Sequence, residues 1–306
     1  MTIRVSAYAA GLLLIVAIAL TACNEQRDQP YQMTYDFEKP TKVFELPAKL
    51  KEISGMTPFG ENRIACIQDE KGSVLLIGTK KWDLKESVEF GKDGDYEGIA
   101  AVGDTLYVLR SSGAIIEINH FDTDSQTATM HDLILTKRNN TEGLTYDKKN
   151  NRLLIACKDN AGADDKSYLP EKFKAVYAFD LATKTMDPKP VLLLNTDSML
   201  TYVKRYNIHR KGEMSDDVET HAGEYKFAPS DLAVHPTTGD YYIISSVGRL
   251  LVVLSPAGTI RYIAELNPEI FKQPEGITFI DGDMYVSNEG RNGKAHLLIF
   301  KHNDQL

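Results

Sequence analysis

Four carboxylates stand at equivalent places in a repeated stretch of this sequence: Glu97 in "DYEGIAAVGDTLYVL", Glu142 in "NTEGLTYDKKNNRLLIA", Asp231 in "PSDLAVHPTTGDYYIIS" and Glu275 in "QPEGITFIDGDMYVSNEG". Ser54, in "KEISGMTPFGENRIACIQ", holds the fifth such place. Carboxylates gathered at one opening repel, so they must be met by a cation, by backbone N–H groups or by protons. Calcium suits such a set, since it takes about 6 to 8 oxygen ligands. Glu97, Glu142, Asp231 and Glu275 are then the expected metal ligands, provided they converge. The competing reading is structural: each carboxylate pins the neighbouring repeat through backbone hydrogen bonds, or pairs with Arg110, Lys158, Arg249 or Lys272.

The elements that must position these residues follow from the repeat itself. The five equivalent positions are spaced 43, 45, 89 and 44 residues apart, so one interval holds a unit plus an insertion or a degenerate unit of similar size. Each unit has a short apolar strand, a turn, a strand rich in aromatic and β-branched residues, a polar turn and a third apolar strand. A fourth strand follows in most units, as in "ATMHDLIL", "PVLLLN" and "TIRYIAEL". A period of roughly 40 to 50 residues with four strands per unit is the signature of propeller blades. The fold class expected is all-β: a β-propeller of four-stranded blades, five in number, or six if residues 187–228 form strands. The last unit lacks a fourth strand, and "TKVFELP" near the N-terminus can supply it, closing the ring without an exposed edge.

Strand direction alternates within a blade, so the start of the first strand and the turn between the second and third share a face. The five positions therefore surround one channel mouth, with Asp69, Arg110, Lys158, Asp159, Asn288 and Glu289 among the rim residues. The insertion at about 195–228 joins the same face, and its first half, with Lys204, Arg205, His209, Arg210 and Lys211, is basic. It reads equally as a lid or as a solvated excursion.

HExxH, GxSxG, phosphate-loop and Cys-x-x-Cys patterns are all missing from the sequence. Two function classes remain. One is a non-catalytic binding or interaction propeller that offers its acidic mouth to a small ligand, a cation or an envelope protein. The other is a metal-dependent hydrolase of the lactonase type, with Glu142, Asp231 and Glu275 on the metal and His209 or Asp159 as base. The first is favoured, because no candidate base recurs at a repeated position.

The first 22 residues combine a basic start, an apolar run from Ala9 to Leu20 and small residues before Cys23, the pattern of a secretory signal. "LTAC" resembles a bacterial lipobox, which makes Cys23 the lipidation site and implies a membrane partner through the anchor, in the bacterial cell envelope, most simply the outer membrane. Residues 23–40 are then anchor and tether, and 41–306 a single propeller domain, expected to be a monomer. The whole sequence carries a net charge of −8 at pH 7. Removal of the signal costs Arg4 and no acid, so the mature chain is more acidic still, and nucleic acid is excluded as a partner. Cys66 and Cys157 lie in apolar strand-like runs and read as buried structural thiols.

The "EG" starts of three units, the "SDLAVHPTTGDYYIIS" unit and the lipobox together resemble the SdiA-regulated, YjiK-like family of bacterial envelope β-propellers. The resemblance covers nearly the whole chain from about residue 45. It implies the propeller fold and an envelope location, and brings no established reaction with it. The long polar stretch from Asn195 to Phe227 departs from the family pattern.

Overall fold

Runs such as "RIACIQ" have no polar side, so both faces of the strand need a cover. The computed structural model, which describes residues 29–163, 167, 169–206, 208, 226–291 and 293–304, covers them by stacking five antiparallel sheets around an axis. The chain enters on β1 (Lys42–Glu45). Blade 1 comprises β2 (Ile53–Pro58), β3 (Arg63–Gln68), β4 (Ser73–Gly78) and β5 (Asp83–Glu89). Blade 2 comprises β6 (Tyr96–Val102), β7 (Thr105–Arg110), β8 (Ala114–Asn119) and β9 (Thr127–Asp132). In blade 3, β10 (Thr141–Asp147), β11 (Arg152–Cys157) and β12 (Phe173–Asp180) are followed by β13 (Thr185–Met186) and β14 (Leu192–Asn195), which both pair with β12. Blade 4 holds β15 (Asp231–Val234), β16 (Tyr241–Ser245), β17 (Leu250–Leu254) and β18 (Ile260–Glu265). Blade 5 holds β19 (Pro274–Ile280), β20 (Asp283–Asn288) and β21 (His296–Phe300), and β1 completes it by pairing antiparallel with β21. This is the five-bladed propeller closed by an N-terminal strand that the repeat implied.

The core is divided into five apolar layers, one between each pair of neighbouring blades. Successive residues of one strand serve different layers: Ile64 and Cys66 of β3 face blade 5, whereas Ala65 and Ile67 face blade 2. Period-2 alternation between two buried faces explains why these strands read as continuous apolar runs. Cys66 and Cys157 are buried and free, and burial pushes both thiols up to about 12. The turn "DG" at Asp281 and Gly282 has positive φ at both residues, +51° and +87°, the geometry a two-residue hairpin demands.

Two segments depart from the sequence reading. Thr196–Arg205 forms a helix, α1, so the described part of the insertion is no sixth blade. The Asn195 side chain accepts from the Asp197 N–H at 2.8 Å as an N-cap, Asp197 sits in the first turn and Lys204 and Arg205 in the last. All three charges complement the helix dipole, and Thr196, Met199 and Val203 supply the buried stripe. Residues 209–225, His209 among them, lie outside the described residues. The segment read as a tether is docked from Gln29 onward: Tyr35 and Phe37 are buried in the layer between blades 4 and 5, with Tyr31 and Met33 packed against it. The Tyr35 hydroxyl donates to the Gly282 carbonyl at 2.7 Å and also meets His235 Nε2 at 2.9 Å. Because His235 Nδ1 accepts from the Thr237 and Thr238 N–H groups, the ring proton belongs on Nε2 and is given to Tyr35.

At the axis the inner strands meet backbone to backbone. A Cβ on Gly98 would lie 2.7 Å from Leu144 Cβ and 2.9 Å from the Glu142 carbonyl, both in the next blade. Gly98→Ala should therefore cost on the order of 1 to 3 kcal/mol by overpacking. Gly293→Ala, where a Cβ meets nothing within 4 Å, should stay within about 0.5 kcal/mol of the parent. Urea unfolding of both variants checks this, and equal losses would mean the inner ring is not sterically closed.

Candidate functional site

The repeated acidic position turns out to be a backbone irregularity. The inner strands slip register between Tyr96 and Gly98, between Thr141 and Leu144, between Pro274 and Gly276, and between Ile53 and Gly55. Glu97, Glu275 and Ser54, and Glu142 together with Gly143, are therefore the residues that the ladder skips, and a bulge of this kind re-aims a side chain out of the sheet. The glycine that follows lets the bulged strand lie against its neighbour: a Cβ on Gly55 would be 3.2 Å from Gly98 Cα, and one on Gly143 would be 2.9 Å from Asp231 Cα. In blades 2 and 3 the "EG" dipeptide is thus a single device, a bulge carrying a carboxylate plus a close approach to the next blade that only glycine fits. Blade 4 breaks the pattern. Its strand starts in register at Asp231, and Asp231 Oδ2 accepts from the Ile277 N–H of blade 5 at 2.8 Å.

Two of the five positions tie blade to blade. Besides Asp231, the Ser54 hydroxyl donates to the Tyr96 carbonyl across the seam between blades 1 and 2, at 2.7 Å. The three glutamates remain at the mouth. Glu142, buried, accepts from Lys158 Nζ at 2.9 Å. Glu275, half-buried, accepts from Gln273 Nε2 at 2.9 Å. The same Gln273 amide donates to Glu289. Glu97 has the Asp95 and Glu142 carboxylates close by, and the Ser111 hydroxyl donates to Asp95.

Proton affinities follow this crowding. Burial, then the charges of Glu142 and Asp95, push Glu97 from the ordinary 4.5 up to about 10. Burial and Glu275 push Glu142 up to about 7 against the opposing pull of Lys158. Asp231 is raised chiefly by its burial, against the backbone donors Ile277, Leu232 and Leu144. Burial alone would lower Lys158, but Glu142, Glu275 and Glu97 together raise it, so its ammonium lies in the field of all three glutamates.

The rim is mixed. Asp69 is raised by burial and then by Glu52 and Glu70, and Glu289 by burial and then by Glu275. The Arg110 guanidinium lies over the Tyr96 ring, 5.9 Å from its centroid. Asp159 is exposed. Asn288 is spent on the backbone, its Nδ2 donating to the Ile270 carbonyl at 2.8 Å and its Oδ1 accepting from the Gln273 N–H at 3.3 Å. The sequence reading passed over Asp95, Gln273 and Lys174. Lys174 is buried and donates to the Lys158 carbonyl at 2.7 Å, holding the turn that presents Lys158. The position of Gln273, two residues before Glu275 at the head of the strand, was the available signal.

Among the described residues, no three Asp, Glu, His or Cys side chains come together as a metal cage. Of the four carboxylates expected to hold a metal, Asp231 accepts from a backbone amide, Glu142 from an ammonium and Glu275 from a carboxamide. Cys23 and His209 lie outside the described residues.

Because Glu97 and Glu142 hold protons more tightly folded than unfolded, the folded state gains relative stability in acid and loses it as pH rises from about 4.5 through about 7 and towards 10. Melting temperature should accordingly fall between pH 5 and pH 9, and Glu97→Gln should flatten that fall and raise stability at pH 8. An unchanged slope in the variant would contradict the burial of Glu97 among like charges.

No family model matches the sequence, and no curated protein does. Solved structures share its shape. The glutaminyl cyclase of Myxococcus xanthus superposes with a TM-score of 0.54 at 11% identity, over 87% of this chain and 96% of that one. A Bacteroides thetaiotaomicron protein of unknown function gives 0.48 at 13% identity, over 82% of this chain and 56% of that one, so the chain spans little more than half its length. Streptogramin B lyase gives 0.45 at 13% identity, over 85% and 97%. At 11% identity the likeness to the Myxococcus xanthus structure concerns the fold alone.

Proposed function

We propose that this chain is a lipid-anchored envelope propeller of the SdiA-regulated, YjiK-like type, a non-catalytic binding module whose mouth takes a cationic group on a small ligand or an envelope protein. One observation carries the reading. The mouth already binds an ammonium, its own: Lys158 Nζ pairs with Glu142 and is drawn by Glu275 and Glu97 as well. One ammonium facing three glutamates leaves charge uncompensated, and part of it is suppressed only by the proton that Glu97 retains. A second ammonium or guanidinium arriving beside Glu97 and Glu275 would displace that proton and take over the charge it neutralises. On this reading Lys158 is the resident cation of the carboxylates that were expected to hold calcium. The lactonase-type alternative draws no support from the donor set, whose members are committed to backbone, ammonium and carboxamide partners.

Spermidine is a suitable probe. It should raise the melting temperature of the wild-type protein at pH 8, with a stabilisation of about 2.7 kcal/mol at one hundred times Kd, and Glu97→Gln and Glu275→Gln should each lose most of that rise. Calcium against chelator, run on the same proteins, separates a cation pocket for ammonium from one for metal. Coincident wild-type melts with and without spermidine would refute the ammonium reading. For the anchor, Cys23→Ala should move the protein from the membrane to the soluble fraction, and its continued sedimentation with membranes would refute lipidation.

A further inference from the structure

The anchor holds one point of the protein at a membrane, and the fold determines which side of the propeller that point can reach. Gln29 is fastened to the free edge of β18: its Nε2 donates to the Ile263 carbonyl at 3.0 Å and its Oε1 accepts from the Ile263 N–H at 2.9 Å. Cys23 lies six residues earlier, a reach of at most about 22 Å even when fully extended. The next residue, Pro30, lines a groove of about 400 Å³ between β14, α1 and the β17–β18 hairpin.

The groove has the chemistry of a surface that meets lipid. Leu193, Tyr202, Tyr206 and Ile260 form its apolar walls, over a floor of the buried Met199 and Leu254. Leu193 is 49% exposed on the outer strand of blade 3. The Tyr202 and Tyr206 rings lie 4.6 Å apart at the groove wall, and the Tyr202 hydroxyl donates to the Arg261 carbonyl at 2.6 Å. Lys204 and Arg205 end the helix exposed, whereas its acid, Asp197, is neutralised by Lys172 at 2.8 Å. Apolar side chains, tyrosines with a wet end and a basic flank are what a bilayer interface with anionic headgroups favours.

We propose that this groove and α1 form the face the propeller lays on the membrane, so that the outer edges of blades 3 and 4 rest on lipid. The inference rests on the lipid-anchor reading of Cys23. Full-length lipidated protein in phosphatidylethanolamine–phosphatidylglycerol vesicles tests it, with Leu193→Cys and Met130→Cys each labelled with an environment-sensitive fluorophore. Met130 is a matched control, 55% exposed on the outer strand of blade 2. The buried Cys66 and Cys157 do not compete for label. The label at 193 should shift to the blue and lose intensity to a lipid-borne quencher, and the label at 130 should do neither. An aqueous signal at 193 from protein that floats with the vesicles overturns the orientation and leaves the anchor standing. Failure of the lipidated protein to float overturns both. A blue shift at 193 in the soluble Cys23→Ala variant without vesicles also overturns the proposal, since a second copy would then fill the groove.

Discussion

At three of the five seams the inner strands meet backbone to backbone near one axis. Backbone approaches backbone from Gly55 to Gly98, from Gly98 to Glu142 and Leu144, and from Gly143 to Asp231. Everything else in the molecule accommodates that crowding. The bulges at Ser54, Glu97, Glu142 and Glu275 absorb the residue that cannot fit in the ladder. Three of the excluded residues, the glutamates, gather at the mouth, whereas Ser54 bonds to the Tyr96 carbonyl of the next blade. Where the glycine is replaced, by Leu232 in blade 4, the strand keeps its register and the carboxylate of Asp231 bonds to the adjoining blade instead.

Packing and electrostatics are thus coupled at the mouth. The bulges that let the ring close also crowd its glutamates, and the protein meets the repulsion with three means: an ammonium on Glu142, a carboxamide shared by Glu275 and Glu289, and a proton on Glu97. None of these is a repeated feature of the blades. Repetition built the scaffold and left five similar positions, and individual side chains on the surrounding turns then made each of them different.

The architecture was legible because a propeller writes its period into the chain. Five starts, hairpin turns such as Asp281–Gly282 and an orphan strand at Lys42–Glu45 leave little freedom in the assembly. The site was legible only in part. That Glu97, Glu142 and Glu275 share a mouth followed from strand direction, but which partner each would take depended on turns whose side-chain directions no period specifies. Lys158 as the partner of Glu142 was one of several cations weighed, and Gln273 went unnoticed because a carboxamide carries no charge signal. Helix α1 escaped notice for a different reason. Its ten residues show barely two turns of apolar spacing, and the strand pattern around it dominates the window. The docking of Tyr35 and Phe37 was hidden as well, since two aromatics in a polar stretch have no periodicity to mark them.

The join between β1 and β21 has a temporal side. Lys42 pairs with Ile299, so about 250 residues must be synthesised between one partner and the other, which takes roughly 12 to 50 s at ribosomal speeds of about 5 to 20 residues per second. Until β21 is present, β1 has no strand to pair with and the fifth blade cannot be completed. Closure of the ring therefore cannot precede the arrival of β21, and the join ties together strands about 250 residues apart in the chain.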